Sequence, residues 1–180
     1  MTSETPGMTG ADLEALWDAH TRFEFETKDP EATLETMEED NYVNHVPTMT
    51  GGRGMTALRR FYSKFFIPGV PADFESRSIS RTVGKDQLVD EIFTTFTHSI
   101  EIPWMLPGVP PTGKRVEVVV VVIVSFSDDR IIHEHIYWDQ ASVLVQVGLL
   151  DPKGLPVAGA VAARKALDWS LPSNEMIKDW

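Results

Sequence analysis

Four proton-handling side chains recur at every second position near the middle of the C-terminal half: His133, His135, Tyr137 and Asp139. They lie within DDRIIHEHIYWDQ, residues 128–140. Alternate side chains of a strand share a face. These four therefore project together, and Ile132, Glu134, Ile136 and Trp138 project the other way. Two imidazoles, a phenol and a carboxylate pack poorly but suit proton transfer. Asp139 stands between an apolar strand and an apolar helical segment, a setting in which a carboxylic acid can exchange protons near neutral pH. It also directly precedes Gln140-Ala141-Ser142, where it would cap a helix with the same oxygens. His135 would polarise a carbonyl or orient Asp139, or else be a core imidazole bonded to the backbone. His133, nearer the turn, belongs at a rim or in solvent.

Other candidates lie upstream. His98 ends an apolar strand and would bond a substrate oxygen, or pair with the Pro-rich loop that follows. Asp90 and Glu91 occupy opposite faces of that strand, so at most one enters a pocket unless a bulge reverses the register; Glu91 is carried as a substrate-binding candidate. His45, beside Tyr42 and Asn44, suits a pocket mouth. His133, His135 and Asp139 match the ligand types of zinc or iron, but a further ligand would have to come from elsewhere. Gly51-Gly52-Arg53-Gly54 lacks the lysine and hydroxyl of a P-loop and reads as a turn.

The elements that must position these groups follow from periodicity. Leu13, Leu16, Trp17, His20 and Phe23 form one stripe of an amphipathic helix. Asp29-Pro30 opens a second, short helix. Residues 41–47 read as irregular. A third helix carries Leu58, Phe61, Tyr62, Phe65 and Phe66 and stops at Pro68-Gly69. Strands are expected over 74–83, 88–98, 115–127 and 131–139. Residues 102–113 are too proline-rich for regular structure, and Trp104, Met105 and Leu106 there look exposed, covering something apolar. Two helical segments, 140–150 and 157–169, close the chain.

Composition narrows the classes. The chain has 180 residues, enough for one domain with a sizeable core. It has no cysteine, which excludes disulfides, thiolate chemistry and cysteine-bound zinc. A net charge of −11 disfavours nucleic acid and anionic membranes as partners. The apolar run Val116–Val124 is far shorter than the about 20 residues a membrane helix needs. The N-terminus shows no secretory signal, so a cytoplasmic location is expected.

Three groups of residues carry a family resemblance. One is His45 shortly before Gly-Gly-Arg-Gly and an aromatic-rich helix. Another is Thr97-His98 followed by Pro110-Pro111-Thr112-Gly113-Lys114-Arg115-Val116. The last is Glu134-His135, Trp138-Asp139 and Leu144-Val145-Gln146-Val147-Gly148. On these the chain resembles the SnoaL-like polyketide cyclases, of the nuclear-transport-factor-two-like superfamily, over roughly residues 10–150. The resemblance implies an α+β fold: a cone-shaped barrel of curved, mostly antiparallel sheet wrapped around three N-terminal helices. Here a C-terminal helical extension, 151–180, would follow, and a disordered tail, 1–9, would precede. It implies a pocket, commonly a homodimer, and catalysis without metal or other cofactor. In family members of known chemistry, an Asp matching Asp139 is acid and base in an intramolecular aldol closure, with pocket histidines assisting.

The expected function is therefore a cofactor-independent lyase or isomerase acting on a hydrophobic, carbonyl-bearing small molecule. Asp139, His135 and His98 would be catalytic. His45, Tyr42, Tyr137, Trp104, Phe61 and Glu91 would bind substrate. The alternatives are a hydrolase or hydratase with an Asp-activated water, and a non-catalytic ligand-binding or dimerisation domain.

Overall fold

Thr9 starts the first helix by a reciprocal cap. Its hydroxyl accepts the Asp12 N–H at 3.3 Å, and the Asp12 carboxylate accepts the Thr9 N–H at 2.8 Å. The structure, a computed structural model, describes residues 9–180, so the tail expected over 1–9 lies, apart from Thr9, outside the described residues. Helix α1 (Gly10–Phe25) buries Leu13, Trp17, His20 and Glu24 on one stripe, two apolar residues and two ionisable ones. Asp29 caps α2 (Pro30–Glu35), accepting the N–H groups of Glu31 and Ala32 at 3.1 Å each.

The stretch expected to be irregular is a strand. Strand β1 (Met37–His45) pairs with β2 (Thr50–Arg53) across a tight turn. Gly51 makes this pairing possible: it sits at φ 135°, and any side chain would strike the Val43 carbonyl. Helix α3 (Met55–Phe61) then widens into one π turn over Tyr62–Phe66, closed by the Ile67 N–H on the Tyr62 carbonyl. The additional residue lets Phe61, Tyr62 and Phe66 all face inward, while Phe65 is partly exposed.

Strands β3 (Glu75–Val83), β4 (Gln87–Thr97), β5 (Arg115–Ser127) and β6 (Arg130–Trp138) complete a six-stranded sheet. Its order is β2-β1-β6-β5-β4-β3. The β1–β6 pair is parallel and the others are antiparallel. The α+β class and the mostly antiparallel curved sheet are as expected. The sheet is open rather than a closed barrel.

The Pro-rich loop corrects one expectation. Ile102, Trp104, Met105 and Leu106 are buried rather than exposed. The Trp104 carbonyl accepts the hydroxyls of Thr48 and Thr50 at 2.8 and 2.9 Å, which fastens the loop to the β1–β2 turn. This loop closes one end of the core.

At the other end of the chain, β5 outruns β6, whose last residue Trp138 lies opposite Val120. Helix α4 (Gln140–Val147) covers the gap. Its Gln146 donates to the Glu117 carbonyl at 2.9 Å and accepts the Glu117 N–H at 2.8 Å, replacing the missing strand. Helix α5 (Ala160–Leu167) packs on β5, with Arg164 held bidentately by Glu117 at 2.7 Å. Among the described residues, no helix is long and apolar enough to cross a membrane.

Candidate active site

Strand β6 has its two faces as the sequence groups them, but the opposite one turns inward. Ile136 and Trp138 are buried in the core, and Glu134 is buried beside them. His133, His135, Tyr137 and Asp139 lie on the outer surface of the sheet. Tyr137 is 39% exposed and Asp139 is exposed. The reason is apolar area: burying Ile136 and Trp138 contributes roughly 1.5–3 kcal/mol each, more than two imidazoles would return. Ile132 departs from its row, because a bulge leaves it unpaired between Ile131 and His133.

The expected site residues divide accordingly. Asp139 is an N-cap, accepting the Ser142 N–H at 3.0 Å, and it does not line the inner cavity. His135 packs edge-on against Tyr42 and Tyr137 on the outer face. Tyr42 and Tyr137 are therefore outside the hollow as well. His98 is buried but points elsewhere: it holds the Pro-rich loop, with Nδ1 3.1 Å from the Thr112 hydroxyl and its carbonyl accepting the Thr112 and Gly113 N–H groups. Glu91 faces outward and accepts the Ser80 hydroxyl at 2.9 Å, and its neighbour Asp90 points in. His45 and Trp104 do line the cavity, and Phe61 packs behind His45.

The cavity lies between α1, the π turn and the concave side of the sheet. It has a volume of about 200 Å³ and is walled mainly by Phe25, Val43, Phe66, Phe74, Ile92, Trp104, Val120, Val122 and Ile136. Ionisable groups enter this apolar wall in three places.

The first is a buried cluster of His20, Glu24, Glu134 and Tyr62. His20 Nε2 stands 3.2 Å from Glu24 Oε1, 3.3 Å from Glu134 Oε1 and 3.5 Å from the Tyr62 hydroxyl. The Thr36 hydroxyl donates to the Thr33 carbonyl, so at 2.6 Å it accepts from Nδ1–H of His20. That bond fixes the ring orientation and turns Nε2 toward the two carboxylates. Burial alone would lower the His20 pKa, but the adjacent Glu134 and Glu24 charges raise it to about 10. Burial pushes the Glu24 carboxyl up, against the pull of His20. The Tyr62 phenol is likewise raised by burial and by both carboxylates. The cluster thus holds an acid and a base side by side under a low-dielectric wall.

The second group is Asp90 with Arg81. Arg81 grips Asp90 with Nε and NH2 at 3.0 and 2.7 Å, and Trp17 Nε1 donates to the same carboxylate at 2.9 Å. A third Arg81 bond reaches Asp18 at 2.8 Å. Every oxygen of Asp90 is engaged, which suits it to hold the wall in place rather than to take a proton.

The third is His45. Its Nδ1–H donates to the Thr50 carbonyl at 3.2 Å, which leaves the lone pair on Nε2. Burial lowers its pKa to about 4, so the ring is neutral at physiological pH and can accept a bond from a ligand hydroxyl.

Sequence reasoning missed Glu24, Glu134 and Tyr62 as site groups, left open whether Asp90 or Glu91 enters the pocket while carrying Glu91, and read His20 only as part of an apolar stripe. The signal was present: each is a polar residue in a row that is otherwise apolar.

Comparison with known proteins agrees with this architecture. The profile of the SnoaL-like domain matches residues 17–134. Among curated proteins, none matches the chain significantly. Among solved structures, AclR of Streptomyces galilaeus, assigned as a hydroxylase, is 19% identical with a TM-score of 0.60, over 79% of this chain and 100% of its own. A Jannaschia sp. CCS1 protein assigned as a SnoaL-like polyketide cyclase is 19% identical with a TM-score of 0.60, over 84% and 100%. A Kribbella flavida protein assigned as a ketosteroid isomerase is 13% identical with a TM-score of 0.50, over 72% and 78%. At these identities the likeness establishes a common fold.

Proposed function

The chain belongs to the SnoaL-like domain family, and from that premise we propose that it is an enzyme of the cyclase or isomerase kind, moving protons on a compact, largely apolar carbonyl compound. The observation that carries this reading is the buried His20–Glu24–Glu134–Tyr62 cluster opening on an apolar cavity. A cavity of about 150 Å³ admits benzene, so one of about 200 Å³ suits a molecule of one or two small rings.

Glu134 is the base that removes a proton from the carbon next to the carbonyl. The Tyr62 hydroxyl and the carboxyl of Glu24 hydrogen-bond the oxygen on which negative charge develops. His20, locked by Thr36, keeps the two carboxyls apart in role by its charge. The enolate is then protonated at another carbon, or its carbon attacks a second carbonyl of the same molecule to close a ring. His45 Nε2 accepts a substrate hydroxyl from the opposite wall. The names of the solved structures, a polyketide cyclase and a ketosteroid isomerase, are consistent with chemistry of this type.

The test is hydrogen exchange. The chain is incubated in deuterated water with a panel of small cyclic ketones and β-dicarbonyls, and loss of the α-proton signal is followed by NMR. Exchange of at least one compound above the protein-free rate is expected; none above that rate would overturn the reading.

We propose also that the chain forms a homodimer through the outer face of the sheet. There Phe93, Val119, Val121, Ile123 and Tyr137 form a partly exposed row across β4, β5 and β6. A monomer mass by light scattering at micromolar concentration would remove this part of the proposal.

A further inference from the structure

The geometry points to a binding site for one divalent transition-metal cation on His20 Nε2, Glu24 and Glu134. Among the described residues, this is a place where three potential ligand atoms lie within 4.8 Å of one another, all on buried side chains. Ligands bound at about 2.05 Å to a tetrahedral centre stand about 3.3 Å apart. The two Nε2–carboxylate distances are 3.2 and 3.3 Å, so a cation could be seated with little movement. One nitrogen and two carboxylates suit zinc, manganese or iron rather than calcium.

Two independent features belong to such a site. The Oε1 atom of Glu134 is fully buried and, among the described residues, accepts no well-aligned hydrogen bond, its facing donor being His20 Nε2 at 3.3 Å. A buried carboxylate oxygen without a well-aligned bond is costly, and a cation supplies what it lacks. In addition, the remaining nitrogen of His20 is already bonded to Thr36, itself anchored on the Thr33 carbonyl. Metal-binding histidines are held by a partner of this kind on their second ring nitrogen. Glu24, Tyr62 and Glu134 line the cavity, which leaves a coordination position toward a small ligand.

The cation would displace the proton of His20 Nε2 to solvent and occupy the carboxylate oxygens facing it, so occupancy and proton transfer exclude one another. This consequence for activity rests on the acid–base reading; binding itself does not.

The experiment uses untagged full-length chain, stripped with EDTA and titrated with Zn²⁺ and Mn²⁺ by calorimetry, with bound metal counted by mass spectrometry and no substrate present. One cation per chain with Kd of about 1 µM or tighter is expected. Glu24→Gln and His20→Gln should each weaken binding at least about a hundredfold, and Thr36→Val, which leaves all three ligands, about tenfold. The double variant His133→Ala/His135→Ala should bind as the parent does. The inference is overturned if the parent takes up no cation at about 10 µM free metal. It is equally overturned if binding survives Glu24→Gln and Thr36→Val, or disappears with the outer histidines. Hydrogen exchange measured in EDTA continues in either case, so failure to bind metal and failure of the enzymatic reading give separate results.

Discussion

The two faces of β6 carry similar chemistry in opposite settings. Outside, His133 and His135 stand 4.9 Å apart, half-buried among the exposed Tyr42 and Tyr137. Burial and the neighbouring His135 lower the His133 pKa, and its Nε2 is satisfied by Ser125 at 3.1 Å. Inside, a single carboxylate, Glu134, meets one imidazole and a second carboxylate, all three side chains buried. The inner histidine is driven up to about 10 against the cost of its burial, because the Glu134 and Glu24 charges stand directly beside it. Four proton donors and acceptors on the outer face, half-buried or exposed, are thus weaker evidence for a site than one buried glutamate. What raises reactivity is removal from water beside a fixed partner, not the number of titratable groups in a row.

This contrast can be broken most directly by activity. Glu134→Gln keeps the shape of the inner site and removes the base, so α-proton exchange should fall at least about a hundredfold. His135→Gln and Asp139→Asn, on the outer face, should leave it within about twofold by the same standard. Equal losses in all three would erase the distinction between the faces.

Stability gives the next largest effect. Arg81→Met leaves the buried Asp90 carboxylate with Trp17 as its remaining donor, and should cost about 3 kcal/mol or more in urea unfolding. A loss comparable to that of an exposed pair, below about 1 kcal/mol, would show that Asp90 is reached by water.

The pH dependence of melting, measured in EDTA, separates the two inner histidines. The folded pKa of His20 is raised from 6.5 to about 10, so its contribution is complete below pH 6.5 and is lost as pH rises toward 10. Glu24, also raised, loses its contribution as pH rises from 4.5, which opposes the gain from His45 between pH 4.5 and 6.5. His45 is lowered from 6.5 to about 4, so its contribution is complete above pH 6.5 and is lost as pH falls toward 4. Melting temperature should therefore fall as pH rises above 6.5, and the difference between the parent and His45→Gln should change only below pH 6.5. A difference that stays constant there would place His45 in contact with solvent.

The smallest effect belongs to the outer face. Asp139→Ala removes the cap of α4 and should cost about 1 kcal/mol. His135→Ala, half-exposed and without a hydrogen bond, should change stability by less than about 0.5 kcal/mol.

Much of the fold was legible before any coordinates. The start of α1, the Asp29-Pro30 cap, the long β5 and the turn before β6 follow from local chemistry, and each is where that chemistry puts it. Strand β1 was not legible: Asn41 to His45 lacks clean alternation, and its partners β2 and β6 lie elsewhere in the chain. Among the site groups, His45 was found because a family motif places it just before the aromatic helix, and Trp104 because its apolar, proline-rich loop had to cover something apolar. Asp139 and His135 were misplaced because a strand's alternation does not say which side the helices will cover.

The sequence alone determined the membership of each row: a period of two forces His133, His135 and Tyr137 together and Glu134, Ile136 and Trp138 together. Only the tertiary structure decided which row is enclosed. That choice is made by the total apolar area brought under α1 and the π turn, a sum over segments more than a hundred residues apart. The glutamate carried inward by Ile136 and Trp138 is tolerated because His20, from the first helix, is there to meet it.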